Sequence, residues 1–457
     1  MSTVFEELNE NITALNEEKA LLKSGFESMG VDMTDVPFTQ YHEKFDEIQI
    51  GGGDDPLIGL LDGSITSVTI PSSITNLKQY AFADTNIETL VIPDNIQTIE
   101  SYLCRGCTKL KSVTFNGTPT IDTNYMFYQC PSLEKVTLPN SIELFVSYTF
   151  SGCEKLKEIF IPASVKGFGY ESFNNTALEK VIIQDVNRYS EIIVASGSNP
   201  YPGNSKGITY LYLEGNENYI TDVVLDTATS INPSFRYISG IKSIYIGESV
   251  TKVNPTNSSL NITTNPYGTL MGMKDLESLT FSENSTLTTL KEDFCRTCKN
   301  LKTIVFPPNL TSIPNYCCQG CSSLTEITLP EAVKTLGTSC FQETALTSIT
   351  IPNSVTTIYA SAFQDVVDLT YVKMSSSLTR IYQKAFYVTS YQASKLLEID
   401  FSESTSIPTL DNVNAFDKLN SECKIYVPDD LYDSWKTATN WSTYASRIYK
   451  ASEKPTE

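Results

Sequence analysis

A mainly β repeat solenoid is the fold class this sequence predicts, with an N-terminal α-helical coiled-coil or docking module and a small C-terminal helical cap. Three observations predict it. A strand-like motif led by leucine recurs at steps of 22 or 23 residues, a unit too short to bury its own apolar face, so units must stack on one another. Residues 1–50 instead carry apolar side chains at helical spacing. Beyond residue 422 the strand motif recurs once, and both tryptophans of the chain follow it.

Taken in chain order, residues 1–50 come first. Phe5, Leu8, Ile12, Leu15, Leu22, Phe26 and Met29, with Lys19 as one polar entry, alternate steps of three and four in an a/d heptad frame. The expectation is a homo-oligomerising helix, a trimer being favoured. After Gly30 a second short helix is expected near Thr39, with Tyr41, Phe45 and Ile48 on one face. A helical hairpin covering the first coil is the alternative use. The linker at 51–56, Gly51-Gly-Gly-Asp-Asp-Pro56, would fix such a hairpin poorly and favours oligomerisation or docking.

Residues 57–422 make the solenoid. Leu110-Lys-Ser-Val-Thr-Phe115, Leu133-Glu-Lys-Val-Thr-Leu-Pro139, Leu301-Lys-Thr-Ile-Val-Phe-Pro307 and Leu346-Thr-Ser-Ile-Thr-Ile-Pro352 share one pattern. A Pro-bounded turn follows each strand, then a second short extended segment such as Val355 to Ile358, then an Ala-Phe pair such as Ala362-Phe363 or Ala385-Phe386. Counting these motifs gives about eleven or twelve coils between Ile65 and Phe416. From Val181 to Leu276 the short period lapses, although strand-like pieces persist at Ile208 to Leu213 and Ile241 to Ile246. The same solenoid with enlarged loops at 184–275, about 184–207, 214–240 and 254–275, is the expectation. Those loops hold Tyr189, Tyr201, Tyr219, Tyr237 and Tyr267, the candidate ligand-binding residues, because enlarged loops on one face of an array are the usual place for a site. Surface tyrosines of an irregular repeat are the plainer alternative.

Residues 423–457 form the cap. Cys423-Lys-Ile-Tyr-Val-Pro428 repeats the strand, Asp429 or Asp430 is placed to N-cap a helix through Leu431 and Trp435, and Trp435 and Trp441 can cover the last coil. A sugar-stacking platform is the weaker use of these two rings.

Composition narrows the function. Lys and Arg number 33 against 53 Asp and Glu, a net charge of −20, and no basic cluster occurs, which excludes a surface for nucleic acid or anionic lipid. Residues 1–50 carry eleven of the acids and three of the bases. The single histidine, His42, lies there too, so Ser-His-Asp or Cys-His chemistry has no base in the repeats. No phosphate-binding loop, nucleophile elbow or H-E-x-x-H motif is present, and neither a catalytic residue nor a cofactor is nominated. No stretch of about 18 apolar residues is available for membrane insertion, and Met1 to Leu8 lacks the basic-then-apolar pattern of a secretory signal.

Eleven cysteines are expected to be reduced. Cys295-Arg-Thr-Cys298 and Cys318-Gln-Gly-Cys321 together match a zinc-ribbon spacing, and Cys104-Arg-Gly-Cys107 adds a third pair. Repeat alignment accounts for them otherwise. Cys107, Cys130, Cys153, Cys298 and Cys321 each stand three residues before the next leading leucine, and Cys104, Cys295 and Cys318 take the column held elsewhere by Phe82, Phe127 and Phe150. Thiols packed as small hydrophobes, with no metal, are therefore expected.

The Leu-x-x-Ile-x-Ile-Pro-x-x-Val-x-x-Ile and Ala-Phe-x-x-Cys elements resemble BspA-like leucine-rich repeats of surface and adhesin proteins from gut and oral bacteria, over roughly residues 60 to 420. Ile425 to Trp435 and Asn440 to Ile448 look like the closing segment of that family. Phe38-Thr-Gln-Tyr-His-Glu-Lys-Phe-Asp-Glu-Ile48, after Gly30-Val31, is similar to short modules that begin many phage tail and fibre proteins. Together the resemblances imply a non-enzymatic phage virion protein, a fibre or appendage docked to other virion proteins through residues 1–50. Its solenoid would meet a host surface protein or glycan. A bacterial adhesin or protein-binding scaffold at the cell surface is the alternative they imply.

Overall fold

The computed structural model describes residues 66–195, 209–254, 268–389 and 393–455. Ser67–Glu457 is one compact unit, and it is the unit described below. The coiled-coil expectation, with Phe5, Leu8, Ile12, Leu15, Leu22 and Phe26, lies outside the described residues, as do Tyr201 and Tyr267.

The leucine-led motifs form strands of three or four residues, all paired in parallel with the equivalent strand one coil away. A first ladder holds Ser67–Thr69, Thr89–Ile92, Ser112–Phe115 and Lys135–Thr137. The second holds Glu158–Ile161, Lys180–Ile183 and Tyr210–Leu213. In the third are Asp222–Leu225, Ser243–Ile246, Ser278–Phe281 and Thr303–Val305. The fourth runs through Ser348–Thr350, Tyr371–Lys373, Glu398–Asp400, Lys424–Val427 and Ile448–Lys450. Strand alternation explains the burial: Leu90 and Ile92 point into the core while Thr89 and Val91 face solvent. Register places like on like, Leu90 beside Val113 and Val113 beside Val136. A groove of about 460 Å³ lies over residues 326–329, where the third ladder ends and the fourth begins.

Most coils have a second face of two-residue strands, such as Asn76–Leu77, Thr98–Ile99 and Thr120–Ile121, bounded by the proline turn on one side. The third face is a turn stabilised between coils. Tyr102 (φ 62°) and Gly106 (φ 72°) both take the left-handed region, and the amides of Tyr102, Cys104 and Gly106 donate to Asn124, Met126 and Tyr128 of the next coil at 2.9, 2.8 and 2.8 Å. Every second amide of the turn thus pairs with a neighbouring coil, which satisfies backbone that belongs to no strand.

Stacked phenylalanines fill the interior. Phe341, Phe363, Phe386 and Phe416 stand in one column with centroids 5.5, 4.9 and 5.2 Å apart, and Trp441 closes it at 5.6 Å from Phe416. Trp435 and Trp441 are buried against Phe401, and the Trp441 indole N–H donates to the Pro408 carbonyl at 2.8 Å. Both rings cover the last coils, and neither is an exposed platform.

Three expectations need correction. The enlarged region is more regular than its spacing implies: residues 214–240 contain the ladder strand Asp222–Leu225 and the second-face strand Ser230–Ile231. Ile220 stands there in place of the leading leucine, so counting leucine motifs undercounts the coils. The C-terminal helix, Tyr432–Thr437, has no side-chain N-cap, because the Asp429 carboxylate instead accepts the Ser452 amide at 3.0 Å and ties down the return strand.

Candidate ligand-binding face

Of the candidate tyrosines of the enlarged region, Tyr189, Tyr219 and Tyr237 lie among the described residues. Tyr189 is 2% exposed; its ring packs edge-on against Phe168 and Phe235, and its hydroxyl donates to the Ser234 carbonyl at 3.0 Å. Its place in the short helix Val186–Ser190 turns it into the core, which overturns its reading as a ligand residue. Tyr219 is exposed and stacks at 4.6 Å on Tyr210. Tyr237 sits in a left-handed turn under the Arg236 guanidinium, 5.1 Å from the ring centroid.

A different set of tyrosines does converge. Tyr80, Tyr102, Tyr125 and Tyr148 hold the first left-handed position of the third-face turn in four consecutive coils, with φ of 61°, 62°, 51° and 59°. Their rings stack at 4.6, 4.8 and 4.7 Å, inclined by 32°, 6° and 21°. Tyr170, one position out of register, ends the stack edge-on at 5.5 Å from Tyr148. Tyr128 stands perpendicular beside it, 5.2 Å from Tyr125 and 5.7 Å from Tyr148. Partial burial, together with the neighbouring phenols and the Glu171 carboxylate, pushes the Tyr125 and Tyr148 hydroxyls above their ordinary pKa, so both stay protonated donors.

A left-handed non-glycine residue costs about 1–3 kcal/mol, and a stacked aromatic pair contributes about 0.5–1.5 kcal/mol. The two effects are comparable, so stability does not dictate tyrosine here. The protein shows this directly: Glu171, Asp293, Ser339, Ser361 and Lys384 occupy the equivalent turn with φ of 50°, 56°, 52°, 58° and 56°, and Tyr316, with φ of 58°, holds it in one further coil. The four tyrosines recur at the repeat period, which is the sequence signal that would have found them.

Beside the stack lies a groove of about 590 Å³. Tyr128, Gln129, Ser151, Glu154, Asn174 and Asn175 contribute to its lining. The Gln129 amide donates to the Tyr128 hydroxyl at 3.3 Å, and the Asn175 amide to the Glu154 carboxylate at 2.7 Å. Gly152 forms part of the wall with φ of 82°; a Cβ there would lie 3.2 Å from the Gln129 backbone, so glycine keeps the coils in contact.

The cysteines form interior columns. All eleven are free and buried. The thiols of Cys107, Cys130 and Cys153 donate to the Phe82, Cys104 and Phe127 carbonyls of the preceding coil at 2.8, 2.9 and 3.2 Å, and Cys298 and Cys321 repeat this with Leu270 and Cys295 at 3.2 Å each. The zinc-ribbon tetrad does not assemble. The thiols that converge are Cys295, Cys317 and Cys318, within 4.8 Å of one another in the dry core. Burial pushes the Cys298 thiol up to about 12, and it pushes Cys130, Cys153 and Cys340 well up too. Cys107 differs: hydrogen bonding with Cys104, and then with Thr85, holds it below the ordinary value. The folded protein is expected to resist alkylation at neutral pH, while the denatured chain titrates as eleven thiols. Rapid labelling of several thiols in the folded protein, counted by mass, would overturn the interior assignment.

Stacked parallel coils, buried interior columns and a side-chain array on one outer face define a leucine-rich-repeat solenoid. Six copies of the BspA type leucine-rich repeat region match residues 62–121, 75–193 and 263–393, and the chain belongs to that family. No curated protein matches it. Among solved structures, a leucine-rich repeat protein from Bacteroides ovatus ATCC 8483 is 19% identical, with 75% of this chain and 95% of that one covered and a TM-score of 0.42. A leucine rich cell surface protein from Faecalibacterium prausnitzii A2-165 is 21% identical, covering 67% and 78%, with a TM-score of 0.32. The pneumococcal vaccine antigen PcpA is 15% identical, covering 84% and 78%, with a TM-score of 0.34.

Proposed function

We propose that this protein is a non-enzymatic, adhesin-type repeat protein presented at a bacterial cell surface, where its solenoid binds a surface ligand through the third-face tyrosine stack. The observation that carries this reading is that Tyr80, Tyr102, Tyr125 and Tyr148 form one unbroken stack at a turn position which the same fold fills elsewhere with Glu, Asp, Ser or Lys, and with a tyrosine at Tyr316. Membership of the BspA-type family supports it. The virion-fibre reading draws on residues 1–50, outside the described residues, and neither the family match nor the solenoid adds to it.

Serine at this turn has precedent in Ser339 and Ser361, so Tyr102→Ser with Tyr125→Ser removes rings without asking the turn to change. The full-length chain should bind saturably to mucosal epithelial cells, and the double variant should lose most of that binding while its unfolding free energy falls by no more than about 2–6 kcal/mol, the size of the four ring pairs lost. Undiminished cell binding by a folded double variant, or no binding by the parent, would sink the reading.

A further inference from the structure

We propose that the groove beside the tyrosine stack is a binding site for a neutral glycan. The proposal rests on the surface-binding reading above and gives that same face a ligand class. The groove volume, about 590 Å³, falls within the range of about 300–1,000 Å³ usual for small-ligand sites. Its lining is rich in uncharged donors and acceptors: the Tyr128 and Ser151 hydroxyls and the Gln129, Asn174 and Asn175 amides. Each can meet a sugar hydroxyl, which both donates and accepts. Tyr128 adds the apolar surface that a sugar ring needs. It lies perpendicular to Tyr125 and Tyr148, and among the described residues no ring is stacked parallel on it.

Charge decides between neutral and acidic ligands. The one ionisable carboxylate lining the groove is Glu154, and Glu171 lies close by, its carboxylate accepting the Asn174 amide at 3.0 Å. No lysine or arginine lines the groove, and the chain as a whole carries −20. Sialylated, sulfated or phosphorylated groups would therefore meet like charge with no cation in the groove to offset it. Glu154 is also positioned to serve as an acceptor. Its hydrogen bond to the Asn175 amide orients that amide across the wall, and the pair presents a donor and an acceptor side by side.

The substitutions follow from the backbone. Gln129 and Asn175 both take left-handed φ, 56° each, so glycine at either position removes the amide and relieves rather than adds strain. Full-length protein would be applied to a printed panel of short neutral oligosaccharides of glucose, galactose, mannose and N-acetylglucosamine, with sialylated and sulfated counterparts beside them. Retention of one or more neutral members is expected. Gln129→Gly and Asn175→Gly should each weaken that retention by about tenfold, the value of one or two lost hydrogen bonds. Tyr359→Ala, on a different turn of the C-terminal half, should leave it unchanged.

Cells give the second arm. Periodate, which cleaves sugar diols, should abolish binding of the protein, whereas protease treatment of the same cells removes only the share of glycan carried on protein. Binding that survives periodate and is lost to protease assigns the face to a protein partner and overturns the inference, while the adhesin reading stands. Retention only of acidic glycans, or neutral retention untouched by both glycine variants, also overturns it. If neutral glycans are retained by the panel but no cell binds, the inference holds and the adhesin reading falls.

Discussion

Phe386→Ala is expected to destabilise the solenoid by about 3–5 kcal/mol, the range for removing a fully buried aromatic ring. Phe386 is 2% exposed and lies between Phe363 at 4.9 Å and Phe416 at 5.2 Å, inclined by 10° and 8°. No side chain nearby can refill the column, because the adjoining interior position is Ala385, itself followed by Ala415 one coil on. Each coil of a solenoid is stabilised mainly by its neighbours, so the loss falls on the junction between the C-terminal coils and the body. Whole domains are stable by about 5–15 kcal/mol, which makes this loss a large share. Urea unfolding followed by tryptophan fluorescence reports on that end, since both tryptophans cover the last coils. A change below about 1 kcal/mol would show that the column is not what joins them.

The second large effect is expected at Lys454. Its ammonium contacts Asp400 and Glu398 at 2.7 Å each and lies 5.2 Å from the Tyr371 ring centroid. Asp400 is 5% exposed, and it also accepts the Tyr371 hydroxyl at 3.2 Å and the Ser402 amide at 2.8 Å. Burial pushes the Asp400 carboxyl up, but the Lys454 ammonium and the Ser402 amide outweigh burial and hold it below the ordinary value. Burial likewise disfavours the Lys454 charge, and the two carboxylates outweigh it to raise the ammonium pKa.

Lys454→Met leaves a buried carboxylate without its cation. A loss of about 2–3 kcal/mol at pH 7 is expected, somewhat under the value of about 3–5 for a fully buried pair, because the lysine still reaches solvent. The sign of the pH dependence follows from the lowered pKa. Asp400 contributes stability that is fully present above its unfolded pKa of about 3.9 and is lost as pH falls through its lower folded value. In the variant, protonation relieves the stranded charge. The stability difference between parent and variant should therefore begin to shrink above about pH 4, as pH falls through the variant's burial-raised Asp400 pKa, and close as pH falls through the parent's lowered one, which denaturant titrations across pH 3–7 would measure. A difference independent of pH would place the effect in packing instead.

Much of this molecule was legible because the contact rule of a solenoid is periodic. A residue stacks on the one 22 or 23 positions away, so aligning the leucines also aligns Phe363 with Phe386 and Cys130 with Cys153, and each pair does occupy one column. The same periodicity exposes the zinc-ribbon spacing as two coils in register. Where the period lapses, contact depends on the path of the chain. Nothing in Asp185-Val-Asn-Arg-Tyr-Ser190 says that a five-residue helix turns Tyr189 onto Phe235, 46 positions on. Ladder pairing of Asp222–Leu225 with Ser243–Ile246 was equally hidden, since no proline or leading leucine marks the strand.

Stacking and burial of the interior columns thus came from the repeat alone, because one apolar face per unit leaves no other way to exclude water. Which tyrosines form a surface required the backbone. Periodicity places Tyr80, Tyr102, Tyr125 and Tyr148 in a column but is silent on whether it faces inward, as the Phe127 and Phe150 column does two residues later. The left-handed turn decides that, setting one set of rings in the core and the other along the outside, where ligand chemistry is available to them.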